Sequence, residues 1–141
     1  MQENAFRESF EIAGRPVGGG APCLFIAEAG VAHFGDMDLA VQLVELAASA
    51  GADVFKTQVF DVDELIAAEL PEWRERLRPR NLSLPQFQEL KALCDEKGLI
   101  FMATAHNESR IPWLEALEVP AIKVGSGERG NPAYLRRLAG L

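Results

Sequence analysis

Along most of this chain, short runs of continuous apolar residues alternate with longer segments of helical spacing, and no other feature restricts the fold as much. "CLFIAEAG" (23–30), "DVFKTQ" (53–58), "LIFMAT" (99–104) and "AIKVGS" (121–126) have the unbroken apolar character of strands covered on both faces. Between them, "DMDLAVQLVELAASAG" (36–51) starts at an Asp cap, repeats Leu39, Leu43, Leu46, Ala47 and Ala50 on one side, and stops at Gly51. "LSLPQFQELKALCDEKG" (82–98) has Ser83 as cap, Pro85 in the first turn and Gly98 as stop, and helices over 108–117 and 131–140 complete the series. Four strand-helix units in succession predict a parallel sheet with right-handed crossovers. Ahead of them, "FEIAGRPVG" (10–18) carries a turn signal at Gly14 and Pro16 and predicts a short hairpin. The loop "GGGAP" then separates an N-terminal hairpin segment, 1–22, from a strand-helix domain, 23–141.

Order alone does not separate a doubly wound sheet from a barrel; side-chain parity helps. One face carries Leu24, Ile26 and Glu28 on the first strand, Val54, Lys56 and Gln58 on the second, Ile100, Met102 and Thr104 on the third, and Ala121 and Lys123 on the fourth. Each set starts apolar and turns polar toward the carboxyl end. A (β/α) barrel has this pattern inside, with packed lower layers and its site at the C-terminal mouth. Lys56 is the sharpest clue, because an ammonium in a buried strand costs several kcal/mol unless it is paired or meets a ligand. Lys56 and Lys123 would project into one mouth, with Glu28 and Gln58 facing them and Thr104 alongside.

Charge narrows the partners. The net charge of −7 argues against nucleic acid or an anionic membrane, both of which are held by excess Lys and Arg, so an anionic ligand must be captured by cations placed locally. The opening "MQENAFRESF" lacks a signal-peptide core and no apolar run is long enough to span a bilayer, which makes the cytoplasm the expected location. Cys23 and Cys94 lack metal-site spacing and are expected to be reduced, packed thiols. The run "EWRERLRPR" (72–80), with Trp73, reads as a lid or a solvated helix after the second strand.

The blocks "FIAEAGVAHFGD", "GADVFKTQ", "GLIFMATAHN" and "VPAIKVGSGE" resemble, in order and separation, those of the sialic acid synthase family, which includes the N-acetylneuraminate, legionaminate and pseudaminate synthases. The resemblance runs from about residue 10 to the end of the chain and implies a (β/α)8 barrel. It also implies an enzyme that condenses phosphoenolpyruvate with an N-acetylated hexosamine, such as N-acetylmannosamine, to a nine-carbon 2-keto sugar acid and phosphate. In such enzymes carbon 3 of the enol attacks the sugar aldehyde, water adds at carbon 2, and phosphate leaves by C–O cleavage. By resemblance, Lys56 and Lys123 hold phosphoenolpyruvate with Thr104 and Ser126 donating hydrogen bonds, and Glu28, Gln58 and Glu128 face the sugar or the reacting centre. The family needs a divalent metal, manganese or magnesium, whose histidine ligands come from a part of the barrel outside these blocks. His33 in "VAHFGD" matches a family histidine, although capping the loop before the helix is an equal reading. After Thr104 the residues His106 and Asn107 depart from the Pro and Phe usual in the family, and Ala32 stands where Asn is usual.

A closed barrel takes about 250 residues, so four units amount to half of one, and the chain is expected to be the N-terminal portion of a synthase. An open strand edge and an uncovered interior then predict association, here as a homo-oligomer. Other readings stay open at this stage. The lysines could snorkel from strand ends to solvent, and Glu28 could serve only as their ion-pair partner. Lys56 or Lys123 could form a Schiff base in an aldolase. The chain could also be a non-catalytic half-barrel that binds an anion or a partner.

Overall fold

The computed structural model describes residues 7–141, so the first six residues of the hairpin segment lie outside it. Strands β1 (Ser9–Ile12) and β2 (Arg15–Gly18) form the expected hairpin, with Phe10 opposite Val17 and Ile12 opposite Arg15. Its turn residues Ala13 and Gly14 both take left-handed backbone, φ 50° and 76°, as a two-residue hairpin turn requires. Three parallel strands follow in the order β3 (Ile26–Gly30), β4 (Val54–Val59) and β5 (Ile100–Ala105).

The crossovers are helical. In the first, α1 (Met37–Ser49) opens where the Asp36 carboxylate accepts the Leu39 N–H at 3.1 Å. Between β4 and β5 come the short α2 (Val62–Leu65), the solvated α3 (Pro71–Leu77), which buries none of its residues, and α4 (Leu84–Glu96). At the start of α4, where Ser83 is the expected cap, the Gln86 side chain accepts the Ser83 N–H at 2.9 Å as part of a reciprocal capping box. Beyond β5 lie α5 (Ile111–Ala116) and α6 (Pro132–Leu138), and the Tyr134 hydroxyl of α6 donates to the Ala105 carbonyl at the end of β5.

The two faces of the sheet are packed differently. Phe55, Val59, Phe101, Ala103 and Ala105 point outward into the main core, where Val44, Phe87, Leu90, Cys94 and Leu114 of the helices cover them. Val54, Ile100 and Met102 point the other way and meet Leu24, Ile12 of the hairpin and Ala121. The hairpin therefore plugs the bottom of the inner face, as the period-2 pattern of the strands demands.

Two predicted strands are shorter than the sequence suggests. The first begins at Ile26 instead of Cys23 because Asp53 replaces ladder partners: its carboxylate accepts the Phe25 N–H at 2.7 Å, and the Phe25 carbonyl accepts the N–H groups of Asp53 and Val54. The fourth, 121–126, is reduced to a single parallel bridge between Ala103 and Ile122. Pro120 offers no N–H at its start, and a 3-10 turn (Ser126–Gly130) takes over at its end, which leaves too few residues for a ladder. Cys94 is buried and its thiol is pushed up to about 12 by desolvation, whereas Cys23 is exposed, so only one of the two cysteines is packed. On the free edge of the sheet, Phe25, Ile26 and, on α1, Leu46 are exposed. No helix among the described residues is long and apolar enough to cross a membrane.

Asp53 ties three segments together, since it also pairs with Arg15 of the hairpin. Replacing it with Ala removes a charged acceptor from a backbone N–H and the hairpin's ion pair at once, and should cost about 1–3 kcal/mol in urea unfolding. Amide exchange should quicken first in residues 9–18; a uniform increase across the sheet would mean that Asp53 does not anchor the hairpin.

Candidate functional site

β4 is the central strand, and its inner-facing residues set the layers of the site. Glu28 and Lys56 are register partners across the β3–β4 ladder, Lys56 pairs with Met102, and Gln58 with Thr104. Ascending from the apolar floor of Val54 and Ile100, the inner face thus becomes charged at Glu28 and Lys56 and polar at Gln58 and Thr104. The parity predicted for these residues holds.

Lys56 is 9% exposed, and its ammonium forms an ion pair with the Glu28 carboxylate, whose side chain is 45% exposed at the rim. The burial of Lys56 is thereby offset on one side only, and the partner keeps contact with water. A bulge between Glu28 and Gly30 turns the strand end, with Gly30 in left-handed backbone at φ 55°. A side chain there would crowd the two polar groups beside it, because a Cβ would lie 3.3 Å from Glu28 Oε1 and 3.7 Å from Gln58 Nε2. These two distances also show that Glu28 and Gln58 share one corner of the mouth. Thr57, on the opposite face, satisfies its buried hydroxyl by donating to the Gly30 carbonyl at 3.0 Å.

On β5, Thr104 is 2% exposed and its hydroxyl oxygen has no hydrogen-bond partner. A buried unpaired hydroxyl is uncommon and costly, and one at a strand's carboxyl end points to a ligand group. Its methyl group faces Gly125, the residue that opens "GSGE". Lys123 is exposed next to the bridge at Ile122, and Glu128 is half-buried and accepts the Asn131 side-chain N–H at 3.0 Å. Ser126 is exposed at the start of its 3-10 turn, and its hydroxyl bonds to none of the other candidates among the described residues.

The sequence reading left His106 out of the site. The imidazole lies against Gly125, with Cε1 and Nδ1 each 3.7 Å from where a Cβ would be. Burial lowers its pKa, Lys123 and Lys56 press in the same direction, and Glu128 and Glu28 oppose them, so one ring feels all four charged candidates. The signal that could have found it is parity, since Ile100, Met102, Thr104 and His106 follow one another at spacing two. His33 is held inside the loop before α1: it is 2% exposed, its Nδ1 accepts the Gly35 N–H at 3.1 Å, its Nε2 is buried without a partner among the described residues, and burial lowers its pKa. Gly35 beside it adopts φ 82° and sits so close to Pro79 that any Cβ would collide with the Pro79 carbonyl oxygen. Among the described residues no group of three or more His, Cys, Asp and Glu side chains could hold a metal ion.

The NeuB family pattern matches residues 43–141. The human N-acetylneuraminate-9-phosphate synthase is 36% identical over 138 residues, covering 89% of this chain and 38% of its own length. The N,N'-diacetyllegionaminic acid synthase of Legionella pneumophila is 36% identical over 140 residues, with 89% and 39% covered. Among solved structures, an N-acetylneuraminic acid (sialic acid) synthetase of Leptospira borgpetersenii, crystallised with citrate, superposes with a TM-score of 0.88 at 28% identity over 94% of this chain and 46% of that one. The chain thus spans less than half the length of these relatives.

Two outcomes test the electrostatics. Glu28→Gln leaves the buried ammonium without its counter-charge and should lower stability by about 1 kcal/mol, discounted for the exposure of Glu28, whereas Lys56→Met should be neutral or stabilising in thermal melts. Equal losses in both variants would show that the pair is a net stabiliser. His33, held neutral in the fold, contributes stability that is complete above its ordinary pKa of 6.5 and is lost as pH falls below that value toward the lowered folded one. His33→Asn keeps an acceptor for the Gly35 N–H without that titration, so its melting temperature should drop less than the native one between about pH 7 and pH 5; parallel curves would contradict the assignment.

Proposed function

This chain belongs to the NeuB family, and on that premise we propose that it forms the phosphoenolpyruvate-binding part of a synthase. The enzyme joins phosphoenolpyruvate to an N-acetylated hexosamine, giving a nine-carbon 2-keto sugar acid and phosphate. The observation that carries this reading is Lys56, a buried ammonium at the mouth of a parallel sheet, paired with the rim-exposed Glu28 in a chain of net charge −7. A fixed cation costs least when an anionic substrate completes its coordination.

The roles follow from position. Lys56 and Lys123 neutralise the phosphate and carboxylate of the substrate, and the unpaired Thr104 hydroxyl donates to one of their oxygens, with Ser126 available at the rim. Glu28 and Gln58 share the corner where the sugar aldehyde would approach the enol carbon, and Glu128 closes the opposite side. As carbon 3 bonds to the aldehyde carbon, negative charge grows on the aldehyde oxygen and positive charge at carbon 2; the ammonium groups and carboxylates are placed to stabilise both. Water then adds at carbon 2 and the C–O bond to phosphate breaks. A divalent metal is expected of such an enzyme, but the described residues offer no set of ligands for one, and none of these roles is routed through it.

A Schiff-base aldolase acting through Lys56 would need that amine free to attack a carbonyl, and its pairing with Glu28 speaks against it. Borohydride with pyruvate should leave the protein unlabelled, and label on Lys123 would favour the aldolase. In an assay of phosphate release by a full-length synthase containing this segment, Lys56→Met should abolish saturation by phosphoenolpyruvate with the fold retained, and Glu28→Gln should lower kcat by about a hundredfold. Saturation unchanged in Lys56→Met would remove phosphoenolpyruvate from the reading.

A further inference from the structure

We propose that His106 completes the anion subsite: its imidazole donates a hydrogen bond to an oxygen of the enol phosphate held by Lys56 and Lys123, and takes up a proton as that dianion binds. The inference rests on the synthase reading and assigns a residue to it on separate grounds.

Geometry comes first. His106 is the residue after β5, on the inner parity of Ile100, Met102 and Thr104, and its backbone N–H is fixed to the Val59 carbonyl of β4 at 3.0 Å. The ring is half-buried between the strand ends and the glycine of "GSGE", with Thr104 bordering the same glycine. Neither ring nitrogen has a hydrogen-bond partner among the described residues, in contrast to His33, whose Nδ1 is used inside the fold. The Thr104 hydroxyl next to it, buried and unpaired, is a second group waiting for an acceptor. A buried unpaired hydroxyl and an imidazole with no partner among the described residues border one small residue, and the ring feels both Lys123 and Lys56, which together describe a site for an oxyanion with several acceptor oxygens.

Charge supplies the coupling. Without a ligand, burial is the main pressure against a charge on the ring, Lys123 and Lys56 add to it, and Glu128 and Glu28 oppose them. A bound dianion offsets the two lysines and sets a negative charge beside the ring, which favours the imidazolium against the cost of burial. A neutral ring can donate from one nitrogen, and an imidazolium from both. Uptake of the proton therefore strengthens the grip on phosphate.

Sulfate is the cleanest probe, because it stays dianionic across the whole range in which histidine titrates. With the protein, sulfate affinity should fall from about pH 5.5 to pH 8, by about tenfold for each unit that the imidazole pKa rises on binding. In H106Q the fall should flatten to the remainder contributed by the carboxylates. Imidazole NMR signals of the unmodified protein give the same answer without a variant: the His106 pKa should rise with sulfate and that of His33 should not. Pyruvate, which offers only the carboxylate, should leave the His106 pKa where it was. An unchanged His106 pKa with sulfate bound overturns the inference, as does a shift caused by pyruvate and not by sulfate. If Lys56→Met binds sulfate as tightly as the native protein, the lysine site itself fails, and the inference fails with it. Loss of sulfate binding in Lys56→Met together with a fixed His106 pKa leaves the synthase reading standing and removes His106 alone.

Discussion

The central strand β4 has ladder partners on both sides and packed residues on both faces, so every polar group it carries must be satisfied from within the protein or by a ligand. Two polar side chains on this strand are buried. Thr57, on the helix-covered face, is satisfied locally through the Gly30 carbonyl. Lys56, on the inner face, recruits Glu28 from the neighbouring register position. Both solutions come from the same short stretch of β3, which explains why that strand ends in a bulge with a left-handed glycine and not in a plain turn. The conformation of residues 28–30 is thus dictated by what β4 needs.

The same constraint shapes the site. A protein of net charge −7 repels a dianion at long range, and only a cluster in which cations are desolvated can reverse that locally. Lys56 is desolvated and Lys123 is not, so the two differ in kind: the first is a fixed charge whose cost is borne by the fold, and the second can adjust to what enters. Glu28 pairs with Lys56 in the empty mouth, and without it the buried ammonium would lack its counter-charge, so this carboxylate serves the fold whatever it does toward a ligand.

Much of this was legible in the sequence for identifiable reasons. Period-2 parity on β4 and β5 placed Lys56, Gln58 and Thr104 on the inner face because a strand covered on both faces leaves no freedom of register. The caps at Asp36 and Ser83 and the stops at Gly51 and Gly98 fixed α1 and α4 because those residues act within one turn. What could not be read depended on partners distant in sequence. Strand β3 starts late because Asp53, 28 positions away from Phe25, takes over its first hydrogen bonds. The segment 121–126 reads as a strand by composition, yet Pro120 and the 3-10 turn at Ser126 leave it one bridge. The parity of a strand expected to end at Thr104 does not reach His106, because the inner face extends one residue beyond the ladder.

The hydrogen bonds around the mouth divide the candidates into two groups with different support. The ends of β4 and β5 are held from several directions: Asn107 accepts the Asp61 N–H at 2.5 Å, Arg110 pairs with Asp61 at 2.6 Å, and Tyr134 binds the Ala105 carbonyl. Thr104 and His106 sit between these ties, so their positions are set before any ligand arrives, which is the arrangement that makes fixed dipoles effective. Lys123 and Ser126 ride on a segment joined to the sheet by one bridge and capped by a short turn. An anion held as proposed would meet both kinds of support. Lys56, Thr104 and His106 on the braced strands would fix one side of it, and Lys123 and Ser126 on the loosely tied segment could adjust to the other.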